Sequence, residues 1–232
     1  CPDVELSVVI WADSSYIKKL CNGQYHVIDL NDVEKVCQII SKINPDYVIP
    51  GQGDILQHGL TDMLQKMNIL CIGPVQALAK IEGSKAFMRE VMSSIDSSLN
   101  PKHKDFLKFD GSVLDFIDSF DSDIVVKLDY VISGPRVKIF NRETEYEQAI
   151  EISKLWLEKY RHIIIEEFIS GVEISLTTYT DGKNVLHAPL TQNHKRVFEN
   201  NKGDNTSGMG CFTGFHCFDT LPEDTYSKLK NL

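Results

Sequence analysis

The sequence predicts an α/β protein whose later part turns α+β, and three observations carry that prediction. Short apolar runs alternate with amphipathic stretches through residues 1–74. The order strand, loop, strand, helix recurs between Asp115 and Glu151. Beyond Ile163, β-branched runs are joined by a hairpin signal. Strands that alternate with helices imply a small parallel sheet with crossovers, because parallel neighbours need a long connection. Strands joined by a tight turn pair with each other directly. We therefore expect a domain over residues 1–74 and a second region over 75–232.

The elements follow in order. Leu6 to Trp11 and Tyr25 to Leu30 are apolar runs bounded by polar residues and read as strands. From Asp32 to Lys42 the apolar positions Val33, Val36, Ile39 and Ile40 recur at helical spacing. Asp46 to Pro50 reads as a buried strand running into a loop from Gly51 to Gly59. Helix returns from Asp62 to Lys66, and Ile69 to Ile72 is a strand before Gly73-Pro74. Ligands of such sheets bind past the carboxyl ends of strands, which makes Gly51 to Gly59 a candidate loop. Gly83 and Ser84 are suited to start a helix, with Lys85 beside its positive end. That arrangement offers free N–H groups and a cation to an anion.

Further along, Ile124-Val125-Val126-Lys127 is a strand carrying an inward lysine. Val137 to Phe140 follows after Ser133-Gly134-Pro135-Arg136. Ile163 to Ile169 is an apolar strand interrupted by Glu166 and Glu167, and Gly171 to Ser175 begins the next after one turn. Glu173 to Tyr179 is rich in β-branched residues, Asp181-Gly182 signals a hairpin, and Val185 to Leu190 returns as the partner. That strand delivers Gln192-Asn193-His194-Lys195-Arg196. A polar stretch then leads to the glycine-rich loop Gly203 to Gly210, containing Asp204-Asn205-Thr206-Ser207-Gly208-Met209. A basic triplet followed by such a segment exposes cations and backbone N–H groups to an anionic ligand.

Composition limits the possible partners. Apolar and charged fractions of 42% and 25% are those of an ordinary globular protein. A formal net charge of −9 argues against nucleic-acid binding, which needs a clustered positive field. The longest apolar runs fall far short of the ~20 residues a membrane helix requires, and no signal peptide can be read. The six cysteines, Cys1, Cys21, Cys37, Cys71, Cys211 and Cys217, show no Cys-x-x-Cys spacing and read as reduced thiols inside apolar segments, which points to the cytoplasm. Cys211, His216 and Cys217 lack the second ligand pair of a tetrahedral metal site.

The two segments Gln192 to Arg196 and Asp204 to Gly210 resemble the phosphoribosylamine–glycine ligase family, ATP-grasp enzymes of early purine synthesis. In that family Gln-Asp-His-Lys-Arg is followed by Asn-Thr-Gly-Gly-Met-Gly. A second match is Ile81-Glu82-Gly83-Ser84-Lys85-Ala86-Phe87, where the family reads Leu-Glu-Gly-Ser-Lys-Ala-Phe. The resemblance implies an ATP-grasp fold preceded by a Rossmann-like parallel domain, with 105–162 as the lid. It implies ATP and magnesium, or manganese, as cofactors, and glycine and phosphoribosylamine as substrates. By the same resemblance Lys85, Lys127, Lys195 and Arg196 carry the phosphoryl chemistry, with Arg136 as a further phosphate contact. Glu166, Phe168 and Ile169 border adenine, and Glu173 holds the ribose hydroxyls. Gly51 and Gly59 flank the phosphoribosyl loop, while His194 and the stretch Asp204, Asn205, Thr206, Ser207, Gly208, Met209 and Gly210 approach the amino-acid substrate.

Three stretches depart from the family pattern. Gln52 and Gly53 stand where the loop has proline and glutamate, Gly134-Pro135-Arg136 replaces Gly-Lys-Gly in the lid, and Asn193 replaces aspartate. They keep open a related ligase with another acid or amine, or a non-catalytic nucleotide-binding module. The chain opens on Cys1-Pro2 without an initiator methionine and closes on Lys228 to Leu232 as if within a helix. The resemblance places the metal ligands beyond Leu232, so a longer natural protein is expected to supply them.

Overall fold

The computed structural model describes residues 3–129, 136–200 and 202–213, without the side chains of Asp204, Asn205 and Ser207. The expected lid residues Ser133-Gly134-Pro135, together with Cys1, His216, Cys217 and the Lys228 to Leu232 stretch, lie outside these described residues. The chain divides into two compact units with the boundary between Ile169 and Ser170.

The first unit begins with strand β1 (Val8–Ile10), helix α1 (Ser15–Leu20) and strand β2 (Tyr25–Val27), then α2 (Val33–Ile43), β3 (Tyr47–Val48), α3 (Gly53–Gln57), α4 (Leu60–Lys66), β4 (Leu70–Cys71) and α5 (Gln76–Gly83). Pairing is parallel, as the alternation predicts, but falls into two separate pairs, β1 with β2 and β3 with β4. The Asp46 to Pro50 strand is shorter and less buried than expected, with Ile49 65% exposed. The Gly51 to Gly59 loop contains α3, a five-residue helix.

Helix α2 forms where its periodicity says it should. The Asp32 carboxylate accepts from the Lys35 N–H at 3.1 Å, satisfying a free donor of the first turn. Asn44 ends the helix in the left-handed conformation that an asparagine tolerates. Val33, Val36, Cys37 and Ile40 form the buried stripe and pack with Ile55, Leu60, Leu64 and Ile69. Of the described cysteines only Cys37 is buried; Cys21 and Cys71 are half-buried and Cys211 is exposed, so the expectation of core thiols holds for one of them.

The rest of the first unit comprises α6 (Lys85–Ile95), β5 (His103–Phe106), α7 (Gly111–Asp118), β6 (Ile124–Leu128), β7 (Val137–Phe140), α8 (Tyr146–Tyr160) and β8 (Ile163–Glu167). The strands make an antiparallel sheet of order β5-β8-β6-β7. Ile163 to Ile165 are fully buried, so both faces of β8 are covered, which explains a continuous apolar run instead of an alternating one. On one face Ile163, Ile165, Val126 and Leu128 pack with Val113, Ile117, Trp156 and Leu157 from α7 and α8.

The second unit holds β9 (Ile174–Ser175), β10 (Thr178–Thr180), β11 (Val185–His187), β12 (Thr191–Phe198) and β13 (Lys202–Phe212). The Asp181-Gly182 hairpin is present: β10 and β11 pair antiparallel, and the Asp181 carboxylate accepts from the Lys183 and Asn184 N–H groups at 2.8 and 2.6 Å. The Glu173 to Tyr179 run is broken into two short strands. The basic segment lies within β12. The glycine-rich stretch is a strand and not a loop, because β12 supplies antiparallel partners to Gly210 and Cys211. Asn200 at φ 57° lies in the turn between the two strands, and Gly203 at φ 83° follows within β13 where the register with β12 shifts, a left-handed conformation that glycine adopts without the steric cost of a side chain.

Candidate functional site

In the first unit the chemistry gathers around the amino end of α6. Ser84 caps the helix, its Oγ accepting from the Phe87 N–H at 3.1 Å. The same hydroxyl donates to Asp129 Oδ2 at 2.7 Å, and Asp129 Oδ1 accepts from the Ala86 N–H at 3.0 Å. A carboxylate just past the end of β6 thus joins the sheet to the positive end of the helix dipole. Lys85, the first residue of α6, donates its Nζ to the Leu128 carbonyl at 3.1 Å. His162 sits between two carboxylates, Nδ1 at 3.2 Å from Asp129 Oδ2 and Nε2 at 3.2 Å from Asp105 Oδ2.

Sheet register brings the next group in. Val125 pairs with Glu166 and Lys127 with Ile164, so Lys127 and Glu166 are diagonal neighbours on the face opposite the α7–α8 core. Lys127 Nζ forms an ion pair with Glu166 Oε2. Arg89, one turn along α6 from Lys85, grips the same carboxylate with Nε at 2.7 Å and Nη2 at 3.0 Å. Burial pushes the Glu166 carboxyl upward, but the Arg89 hydrogen bond and the Lys127 charge outweigh it and hold it below the usual range. Lys85 is shifted down, chiefly by burial and then by the Arg136 charge, with Asp129 opposing and Lys127 adding to the shift.

Four cations, Lys85, Arg89, Lys127 and Arg136, therefore share this neighbourhood with two carboxylates, Asp129 and Glu166. The surplus is positive within a chain whose net charge is −9. A partly desolvated surplus of cations at a helix amino terminus suits a polyanion such as a phosphate chain.

The second unit carries the other predicted residues. Lys195 Nζ pairs with Glu173 Oε1 at 2.6 Å. Arg196 Nη1 donates to the Gly203 carbonyl at 2.7 Å, and the His194 ring stacks on Phe212 at a centroid distance of 5.6 Å. Thr206 Oγ1 donates to the Lys195 carbonyl at 2.8 Å and accepts from the Gly208 N–H at 3.0 Å. Asn193 Nδ2 donates to Ser175 Oγ at 2.6 Å. Met209 is exposed and Gly210 follows it on β13.

The structure therefore brings Lys85, Lys127, Arg136 and Glu166 together in one unit, and Glu173, Lys195, Arg196 and the Thr206–Gly210 stretch in the other. Phe168 and Ile169 follow β8, half-buried and exposed respectively. Gly51 and Gly59 flank α3, with Gly59 in the left-handed conformation before α4. The Glu166 side chain is committed to its two cations, leaving Phe168 and Ile169 as the free side chains of that trio. Sequence reasoning passed over Arg89, Asn100 and His162. Arg89 carried a readable signal, since it lies four residues after Lys85 and shares its helix face. His162 carried none, because its partners are distant in sequence.

Comparison with known proteins divides the chain at a different place, between residues 82 and 83. The phosphoribosylglycinamide synthetase N domain matches residues 3–82, and the ATP-grasp (A) domain of the same synthetase matches residues 83–231. A phosphoribosylamine–glycine ligase of Methanocorpusculum labreanum is 33% identical over 97% of this chain and 52% of the relative. One from Methanobrevibacter smithii is 32% identical over 91% of this chain and 49% of the relative. The bifunctional purine biosynthetic protein purD of Dictyostelium discoideum is 32% identical over 87% of this chain and 24% of the relative. The chain thus spans about half the length of the two ligases, at 52% and 49%. Among solved structures, the phosphoribosylamine–glycine ligase of Thermotoga maritima superposes with a TM-score of 0.69 at 23% identity, covering 97% of this chain and 53% of that one. The D-alanine–D-alanine ligase of Bacillus anthracis gives 0.63 at 19% identity, covering 96% and 74%. At these identities the superpositions speak to fold, and the fold they share is the expected mixed α/β arrangement with a parallel amino-terminal part.

Proposed function

Since the chain belongs to the phosphoribosylglycinamide synthetase family, we propose that it acts as an ATP-dependent ligase joining glycine to 5-phosphoribosylamine in purine biosynthesis. The observation that carries this reading is the positive surplus of Lys85, Lys127 and Arg136 around the amino end of α6. In the proposed reaction the glycine carboxylate attacks the terminal phosphorus of ATP, releasing ADP and forming glycyl phosphate. The amine of phosphoribosylamine then attacks the acyl carbon, phosphate leaves, and the amide forms. No side-chain nucleophile is required. The chain's contribution is proximity and neutralisation of charge on the moving phosphoryl group.

Within the first unit Lys85, Lys127 and Arg136 are assigned to the nucleotide phosphates, with Phe168, Ile169 and the Glu166 backbone lying beside adenine. Within the second, Glu173 is assigned to the ribose hydroxyls, because an ionised carboxylate is acceptor-only. Lys195 and Arg196 are assigned to the phosphoryl group in transit, and His194 with Asp204 to Gly210 to the amino acid. Gly51 and Gly59 flank the loop assigned to phosphoribosylamine. A divalent cation, magnesium or manganese, accompanies ATP in this reading. Among the described residues no group of three or more His, Cys, Asp or Glu side chains is arranged to hold one. We take the cytoplasm as the compartment; no helix of the described residues is long and apolar enough to cross a membrane.

A second reading, the same chemistry with a different acid or amine, is favoured by Asn193, whose amide is engaged by Ser175 where the family carries a charged aspartate. Omission assays separate the two. ADP release from ATP that requires both glycine and phosphoribosylamine supports the first. ATP binding without release on adding either substrate removes it.

A further inference from the structure

Arg89 differs from the other cations of the α6 cluster in how completely it is held. Nε lies 2.7 Å from Glu166 Oε1 and Nη2 lies 3.0 Å from Glu166 Oε2. Nη1 lies 3.1 Å from Asn100 Oδ1, and Asn100 Nδ2 in turn donates to the Arg89 carbonyl and to Ser93 Oγ, both at 2.8 Å. A guanidinium fixed on two sides is not placed to grip a ligand. What it does instead follows from charge. Glu166 is 2% exposed and touches two cations, Arg89 and Lys127, whose side chains are 14% and 20% exposed. With Lys127 alone, the buried carboxylate would form a neutral pair and cancel the lysine. With both, the trio keeps one positive charge, and Lys127 is the more exposed of its two cations.

We propose that Arg89 is a positioning residue for phosphate binding: it neutralises Glu166, so that the carboxylate fixes Lys127 in place while the lysine charge stays available to the phosphates of a nucleotide. The inference rests on reading this cluster as the nucleotide-phosphate site. Bidentate arginine suits the role, because its planar fork matches both carboxylate oxygens and its charge persists at any working pH.

The test is calorimetric titration of the full-length protein with ADP and, separately, with adenosine, which lacks the phosphates. Wild type is expected to favour ADP. Arg89→Leu is expected to lose about tenfold or more in ADP affinity while adenosine binding stays unchanged. Arg89→Lys, which keeps the charge, retains the ADP preference. Arg89→Leu/Glu166→Gln recovers part of it, because a neutral amide no longer cancels Lys127. Parallel weakening of ADP and adenosine, or a double variant no better than Arg89→Leu, overturns the assignment and leaves Arg89 structural. If Arg89→Leu does not fold, Arg89→Lys and the double variant carry the test, and loss of ADP preference in a folded Arg89→Lys overturns it. A wild type that binds ADP no better than adenosine overturns the phosphate reading itself, and the inference with it.

Discussion

Replacing Asp129 by alanine probes the joint between the sheet and α6. One carboxylate, 3% exposed, serves the Ala86 N–H at 3.0 Å, the Ser84 hydroxyl at 2.7 Å and His162 Nδ1 at 3.2 Å. Alanine leaves the Ala86 N–H at a helix start without its acceptor. Loss of a cap costs about 0.5–2 kcal/mol, and a buried donor left unsatisfied about 1–3 kcal/mol. Removing a negative charge beside the helix dipole adds about 0.3–1 kcal/mol. These effects overlap, and alanine is cheaper to bury than a carboxylate, so we expect a net loss of about 2–4 kcal/mol. Urea unfolding followed by tryptophan fluorescence, whose change is dominated by Trp156, buried in the same unit, and not by the already exposed Trp11, reads it. With a slope of about 2–3 kcal/mol per molar urea, the midpoint falls by about 1 M. Asp129→Asn, which keeps one acceptor, falls about half as far. A midpoint for Asp129→Ala within about 0.2 M of wild type would refute the view that this carboxylate holds helix to sheet.

Ile165→Ala, at a fully buried position in the central strand β8, should cost about 2–5 kcal/mol by the same unfolding assay, through lost burial and the cavity left behind. Glu166 gives an acid dependence of defined sign. Its folded carboxyl lies below the ordinary value of 4.5, so its stabilisation is complete above that pH and is lost as pH falls through the depressed folded value. Glu166→Gln should therefore flatten the acid limb of a stability–pH profile, and an unchanged limb contradicts the assigned pairing. Lys195→Ala breaks a half-exposed pair with Glu173 and should change stability by no more than about 1 kcal/mol. In the proposed mechanism the same variant lowers ADP release by about 100-fold or more, and equal turnover would remove Lys195 from the reaction.

What the sequence made legible follows its local physics. Helix α2 was readable because its apolar stripe, its Asp32 cap and its Asn44 stop agree. Strand β8 was readable because three β-branched residues in a row need burial on both faces. Helix α3 was not, since five residues opening on glycine without a side-chain cap give no periodicity. Helix α7 did carry signals, an Asp110 cap and buried Val113 and Ile117, that were passed over. The glycine-rich Gly203 to Gly210 looks like a loop by composition and becomes a strand only because β12 lies beside it. Site legibility divides the same way. Lys85 and Lys127 were reachable from their motifs, whereas the Arg89–Glu166 pair joins residues 77 apart, and no local pattern encodes such a meeting. The committed position of the Glu166 carboxylate was invisible for the same reason.

Ligation through an acyl phosphate moves a glycine oxygen onto the released phosphate, and isotope transfer reads that movement. Glycine labelled with oxygen-18 in its carboxylate is turned over by the full-length protein with ATP and phosphoribosylamine, and the released phosphate is analysed by mass spectrometry. The account predicts one labelled oxygen in each phosphate, because the carboxylate oxygen that attacked phosphorus departs with it. Unlabelled phosphate alongside amide formation would contradict a glycyl phosphate intermediate and with it the mechanism proposed for these residues.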